Sequence, residues 1–234
     1  MLTTQGKYKS KIQPLLCGGL ICFATLQMLF IVWPYTSWRW DVDFLMTKQL
    51  IIHLDHYRIL FYAHIFSSLF VMASGAFLFS SFILRTWPQV HRLFGKLYVG
   101  LVLLISTPSG LVMAYYANGG WMAQTSFVIL SLLWWWFTYQ GYCTARKLDF
   151  LAHKKWMRRS YALTLSAITL RLFQMLLGYL IYIDPVTQYI FVSWASWVFN
   201  LFLVELWMTR RLIYAWLSSL FLFSLFSPLK QNSK

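Results

Sequence analysis

His91 and His153 are the residues of this chain best placed to do chemistry, because their surroundings match. His91-Arg92-Leu93-Phe94-Gly95-Lys96 and His153-Lys154-Lys155-Trp156-Met157-Arg158 share one pattern: histidine, base, any residue, aromatic, any residue, base. Imidazole ligates metals as well as carrying protons. Two imidazoles at one depth on parallel helices would serve as the axial pair of a b-type haem, with Arg92, Lys96, Lys154 or Arg158 beside its propionates. Gly95, four residues after His91, lies on the same helical stripe and would leave room for a flat ligand. The competing reading is topological, since bases and aromatics gather at a membrane boundary whether or not anything binds there. No spacing matches a zinc site, a P-loop, a GxGxxG turn or a GxSxG elbow, so no catalytic residue is assigned and the only metal in view is haem iron held by His91 and His153.

The second constellation is polar and lies deeper. Ionisable side chains inside a membrane are costly and ask for a partner or a purpose. Arg171 lies roughly 16 Å of helix beyond Ser160, near mid-bilayer. Two roles fit it: hydrogen bonds to Asn200, Gln174 or backbone carbonyls that pin the fifth span to the sixth, or contact with an anionic ligand or a haem propionate. Asn200 should lie at a similar depth, and Glu205 nearer the cytoplasmic edge, where a basic neighbour would pair with it. His64, about one and a half turns inside the second span from the outer face, is too far from His91 and His153 to share a ligand with them. His53 and His56 are expected on the external surface.

These residues ride on long, uncharged, aromatic-rich segments. Residues 15–33, 59–84, 97–116, 122–144 and 189–204 contain no Lys, Arg, Asp or Glu, and 161–183 is interrupted only by Arg171. Each approaches or exceeds the roughly 20 residues that cross the hydrocarbon as a helix. With 11% charged residues and 59% hydrophobic ones, against about 25% charged in a soluble domain, a water-soluble core is excluded. Backbone polar groups in lipid must be bonded within their own segment, so the spans are helices. The expected fold is an all-α, polytopic transmembrane bundle of six spans in a single integral membrane domain, 1–234. Residues 212–229 are a candidate seventh element, either a span returning by a tight hairpin or a segment lying in the interface. Pro108 should kink the third span. Asn118-Gly119-Gly120 and Asp184-Pro185 should make outer turns, and 47–57 suits a short surface helix.

A net charge of +14 would suggest nucleic acid in a soluble protein, but here the charge has another cause. Lys7, Lys9, Lys11, Arg85, Arg92, Lys96, Arg146, Lys147, Lys154, Lys155, Arg158, Arg159, Arg210 and Arg211 all fall at one face, whereas the opposite loops hold only Arg39, Lys48 and Arg58. By the positive-inside rule the N-terminus and the two histidine loops are cytoplasmic, and the expected partner is the lipid bilayer rather than nucleic acid.

The strings His91-Arg92-x-x-Gly95-Lys96-Leu97-Tyr98-Val99, His153-Lys154-Lys155-Trp156-Met157-Arg158-Arg159-Ser160-Tyr161, Thr169-Leu170-Arg171-Leu172 and Trp197-Val198-Phe199-Asn200-Leu201, with Glu205 and Arg210-Arg211, resemble the bacterial predicted membrane proteins of domain-of-unknown-function family 2306. The resemblance covers about 63–211. It implies a bacterial inner-membrane protein in which His64, His91, Arg92, Gly95, His153, Trp156, Arg158, Arg171, Asn200 and Glu205 are the recurrent polar, small or aromatic positions, and it implies no activity. A looser similarity is to two-haem transmembrane cytochromes b, whose four-helix core carries histidine pairs on alternate helices. The second to fifth spans here supply His64, His91, none and His153, which leaves at most one haem, on the cytoplasmic side.

Three functions fit: a haem b protein moving electrons between a quinone and another redox partner, a transporter or receptor for a small anion or lipid, and a structural or assembly protein without a ligand. The first is preferred, and whether the protein is an enzyme stays open.

Overall fold

The computed structural model describes the backbone of residues 4–181 and 183–226, and the side-chain surroundings of residues 18–75, 77–181 and 183–210. Among the described residues all regular structure is helical, as the spans require. α1 (Thr4–Val32) is followed by two 3-10 turns, Trp33–Ser37 and Asp43–Lys48, which form the long outer loop. The short helix of that loop therefore lies earlier than 47–57. α2 (Asp55–Leu78) is the second span, and α3 (Ser81–Thr86) is a separate short helix capped by Ser80, whose hydroxyl accepts from the Ile83 N–H at 3.4 Å.

The third span begins at α4 (Pro88–Leu101), with Pro88 in the first turn where its missing N–H costs nothing. It then passes through a π-helical turn, Val102–Ser106, into α5 (Thr107–Tyr115). That turn is the form the expected irregularity takes: Pro108 cannot donate to the preceding turn, and the wider π spacing absorbs the mismatch. Gly119 (φ +83°) and Gly120 (φ +65°) make the left-handed turn into α6 (Gly120–Arg146). α7 (Phe150–Thr164) is capped by Asp149, whose carboxylate accepts from the Ala152 N–H at 3.0 Å. The helix breaks at Leu165 and resumes as α8 (Ser166–Leu180). Asp184 caps α9 (Pro185–Phe226) by accepting from the Val186 and Thr187 N–H groups at 3.1 and 3.0 Å.

Among the described residues five segments are long and apolar enough to cross a membrane: Gly18–Ser37, Asp55–Gly75, Pro88–Tyr115, Phe150–Leu180 and Pro185–Arg210. α6 has the length, with 27 residues. Its Trp134, Trp135, Trp136, Tyr139, Gln140 and hydroxyl residues make it less apolar, which suits a helix packed against α5, α7 and α9. The chain is thus a polytopic helical bundle. α9 runs for 42 residues straight through Thr209-Arg210-Arg211 to Phe226. Nothing there breaks a helix, since no Gly or Pro intervenes, so 212–226 continues the helix of the sixth span instead of turning back by a hairpin; 227–229 lie outside the described residues.

Interiors in lipid gain little from apolar transfer, so close approach and small hydroxyls hold the helices together. Ser74, Ser106, Ser109, Ser126, Ser131, Ser160 and Thr138 are all buried. Ser126 donates to the Ser193 carbonyl at 2.9 Å and accepts from the Trp197 indole at 3.0 Å, tying α6 to α9. α2 meets α7 where Tyr161 lies over Gly75 and donates to the Met72 carbonyl at 2.9 Å.

At the opposite end from His91 and His153, the outer loop closes over a cluster of Tyr35, Leu45, Ile52, Tyr57, Phe61 and Tyr62. Lys48 is buried there, only 4% exposed, and its ammonium donates to the Tyr116 carbonyl and the Asn118 side-chain oxygen. Burial pushes its pKa down to about 8 from the ordinary 10.5. Between those values the unfolded chain holds more protons than the folded one, so stability rises with pH across that window, by up to about 1.4 kcal/mol per pH unit. The melting temperature of the wild type in detergent is therefore expected to gain on that of Lys48→Met between pH 8 and 10. Parallel curves would show that the amine titrates alike in both states.

Candidate functional site at the paired histidines

α4 and α7 run in the same direction, and their register is set by side chains. The Tyr98 hydroxyl is shared with the Ser160 hydroxyl at 2.8 Å and the Thr164 hydroxyl at 3.1 Å, and Ser160 meets the Thr138 hydroxyl of α6 at 2.7 Å. Tyr98 is 1% exposed and Ser160 fully buried. His91 precedes Tyr98 by seven residues and His153 precedes Ser160 by seven, so each histidine stands two turns, about 10 Å, from the same clasp and on the same face of its helix. The two imidazoles therefore share one level. α4 packs chiefly on α2, and α7 on α6 and α9, so the pair sits on helices with little direct contact of their own.

The ring nitrogens are differently committed. His153 Nδ1 lies 2.8 Å from the Gly141 carbonyl. A carbonyl only accepts, so Nδ1 carries the proton and Nε2 of the neutral ring holds the lone pair. His91 Nδ1 is buried without a hydrogen-bond partner among the described residues. Gly141 is where α6 approaches α7: a Cβ there would run into the Met157 thioether, one turn beyond His153. At Gly95 a Cβ would meet only Leu78 Cδ2 at 3.8 Å, an ordinary contact, so helix packing does not require that glycine.

The remaining expected members divide. Arg92, Lys96 and Lys154 are exposed at the histidine end. Arg158, expected beside a propionate, instead stacks on the Trp207 ring of α9 at 4.4 Å. It lies five residues after His153, about 140° around the helix, and so faces another neighbour. Trp156 packs on Phe137 of α6 at 5.7 Å and under the Arg159 guanidinium at 4.8 Å. Arg159 in turn makes a two-pronged ion pair with Glu205, its Nη2 at 3.0 Å from Oε2, which gives Glu205 its basic partner.

Asn200 does not pair with Arg171. Its side-chain amide donates to the Ala162 carbonyl at 3.1 Å and accepts from the Thr169 hydroxyl at 3.0 Å. Asn200 thus joins α9 to α7 and α8 unaided, while Arg171 donates from Nη1 to the Ala167 carbonyl of its own helix at 2.9 Å. The strut expected of Arg171 belongs to Asn200, because Ser166 and Thr169 begin a new helix after the break at Leu165 and turn Thr169 toward α9. His64 lies in the other half of the molecule, its Nδ1–H donating to the Ser106 carbonyl of the π-helical turn at 2.8 Å. Gly110 makes space for it, since a Cβ there would stand 3.0 Å from His64 Cε1. His53 and His56 are exposed, and His56 Nε2 is 3.2 Å from the Tyr116 hydroxyl. A groove of about 630 Å³ opens beside Trp38, Trp40, Arg58, Tyr62 and Phe66, in the outer loop and adjoining α2, away from the histidine pair.

Sequence reasoning missed Tyr98, Ser160, Thr138, Lys48 and Gly75. One signal was available: a polar residue seven positions after each histidine, in two segments already matched to each other.

A bundle of this length, hydropathy and span order defines a multi-pass helical membrane protein. The family model described as "Predicted membrane protein (DUF2306)" matches residues 61–208, and the chain belongs to that family. Comparison with curated proteins and with solved structures finds no match.

Proposed function

We propose that this membrane protein binds one b-type haem between His91 and His153 and passes electrons between a quinone and a second redox partner. The observation that carries the reading is the common register: the same clasp of Tyr98 with Ser160 stands two turns beyond both histidines. The donor set fits. His153 donates its Nδ1–H to a backbone carbonyl, which fixes the ring and leaves the other nitrogen basic, as second-shell bonds to ligand histidines do. His91 has a buried ring nitrogen without a protein partner. When bound, the haem supplies a one-electron couple whose potential follows from its axial ligands and surroundings. His91 and His153 would hold the iron, the Tyr98 clasp keeps their helices level, and Arg92, Lys96 and Lys154 would offer positive charge to the propionates.

The same reading puts the N-terminus and the histidine end in the cytoplasm of a bacterial inner membrane. It is supported by the concentration of Lys and Arg at that end. A periplasm-dependent reporter should be silent when fused after Arg92 and active after Gly119; the reverse pattern would overturn the orientation.

The haem is tested by the absorption spectrum of protein purified in detergent from a haem-replete host, oxidised and then reduced with dithionite. A sharp reduced α-band is expected, lost in His91→Ala and in His153→Ala and kept in His64→Ala. A colourless wild type, or a low-spin spectrum retained in both single variants, would end the axial-pair reading.

A further inference from the structure

One indole at the basic end of the bundle carries two guanidiniums. Arg158 of α7 lies over the Trp207 ring at 4.4 Å, and Arg210, three residues further along α9, lies over the same ring at 5.5 Å. The two cations are therefore held within about one Debye length, roughly 10 Å, of each other. An indole face attracts a cation without neutralising it, so the pair still lacks an anion. The chain supplies none. Its sequence holds six side-chain carboxylates, and Asp41, Asp43, Asp55 and Asp184 belong to the opposite end. Glu205 has both carboxylate oxygens on Arg159. Asp149 caps the start of α7, nine residues before Arg158, which is about 14 Å along that helix and half a turn around it. Among the described residues neither Arg158 nor Arg210 takes part in an ion pair.

The framework that holds this pair does not depend on anything bound to it. α7 packs on α9, and the Arg159–Glu205 ion pair bolts the two helices together one residue beyond Arg158 and two before Trp207. Arg158 and Arg210 are half-buried, while the Trp207 ring is exposed. Arg210 is the last residue of the Pro185–Arg210 span, so the ring stands at the membrane boundary, the level of the lipid heads. From Trp207 inward, Leu203 and Phe199 continue the same stripe of α9 at four-residue steps, and both are exposed. Two charges, an indole and an apolar lane thus follow one another from the membrane edge toward its middle.

We infer that Arg158 and Arg210, over the Trp207 ring, form a site for the head of an anionic phospholipid, one whose phosphodiester carries its only charge, in the leaflet at the basic end of the bundle. A phosphodiester has two unesterified oxygens, and each guanidinium brings forked N–H donors suited to one of them. Basic pockets between membrane helices hold anionic head groups in this way. The acyl chain lies against Leu203 and Phe199. A zwitterionic head would bring a third cation to a place that already holds two, so it is disfavoured. The site requires only that the chain is a membrane protein. It stands whether or not haem is bound at the histidines, and whichever face of the membrane this end occupies.

The test is thermal melting of the full-length protein in a neutral detergent at fixed ionic strength, titrated with dioleoylphosphatidylglycerol, dioleoylphosphatidylcholine or inorganic phosphate. Phosphatidylglycerol should raise the melting temperature saturably, and the other two should do little. Arg158→Gln and Arg210→Gln should each weaken phosphatidylglycerol binding by about tenfold, the scale of one lost hydrogen bond to a charged group. Arg85, exposed at the same end on α3, separates a site from general attraction of charge, and Arg85→Gln should bind like the wild type. Equal shifts from the two lipids would mean that only the chains bind, and an equal shift from phosphate would mean a free-anion site; either overturns the proposal. So would the absence of any shift, undiminished binding in Arg158→Gln, or an equal loss in Arg85→Gln. If Arg158→Gln does not fold, Arg210→Gln decides on the same readout, and unchanged phosphatidylglycerol binding there overturns the site equally.

Discussion

Gly75→Ala is expected to disrupt the bundle more than any other single-methyl change. A Cβ built on Gly75 falls inside the Tyr161 ring. That ring cannot step aside: its hydroxyl is tethered to the Met72 carbonyl at 2.9 Å, and Phe79 packs on it at 4.9 Å. Tyr161 is 5% exposed and belongs to the core cluster with Val71, Tyr98, Val102 and Trp134. Overpacking in a dense core ordinarily costs about 1 to 3 kcal/mol, and a backbone-borne methyl against a pinned ring belongs at the top of that range or above. α2 and α7 would have to separate, which loosens the join between the first half of the bundle and the second that α5–α6 packing and the Tyr98 clasp also maintain. Size-exclusion profiles and thermal melts in detergent should show loss of the monodisperse species, with partial recovery in Gly75→Ala combined with Tyr161→Leu. A Gly75→Ala protein that melts like the wild type would show that the ring can relocate.

How much of this was legible in the sequence depends on the kind of interaction. Spans and turns were visible because they follow from local rules: uncharged length, Gly119-Gly120 as a turn, and Asp184-Pro185 at the boundary before α9. Glu205 found a basic neighbour for the same reason, since few cations were within reach at that depth. Partner choice inside the bundle was not visible. Asn200 had several candidate partners of similar depth, and the break at Leu165 decided among them by turning Thr169 toward it. No turn residue marks that break, since neither Gly nor Pro occurs between Met157 and Gly178. Arg158 and Arg159 are adjacent in sequence, yet one stacks on Trp207 and the other pairs with Glu205, and neither faces His91. Helical phase would have separated Arg158 from His153 without any structure. Lys48 looked like one of three outer-face cations, and its burial under the loop depends on how 43–57 folds back, which hydropathy does not encode.

The clasp joining α4 to α7 gives the other large effect. Tyr98→Ala removes a side chain that is 1% exposed and takes one partner from each of the Ser160 and Thr164 hydroxyls, which keep the Thr138 hydroxyl and the Ser160 carbonyl. In a bilayer the removed ring loses no transfer from water, so the cost is the cavity and its missing dispersion contacts plus the two lost hydrogen bonds, about 3 kcal/mol in all. Tyr98→Phe keeps the ring and should cost only about 1 kcal/mol, the measured scale of interhelical hydrogen bonds in membranes. The two variants also separate packing from register. Spin labels at Arg92 and Lys154, both exposed beside the histidines, report the distance between α4 and α7 where a shared ligand would lie. A single narrow distribution is expected in the wild type, a modest broadening in Tyr98→Phe, and a broad or shifted one in Tyr98→Ala. This readout does not depend on any cofactor, because register is a property of the helices alone. A distribution as narrow in Tyr98→Ala as in the wild type would mean that α2 and α6 hold the two histidines level by themselves, and Tyr98 would then only fill space.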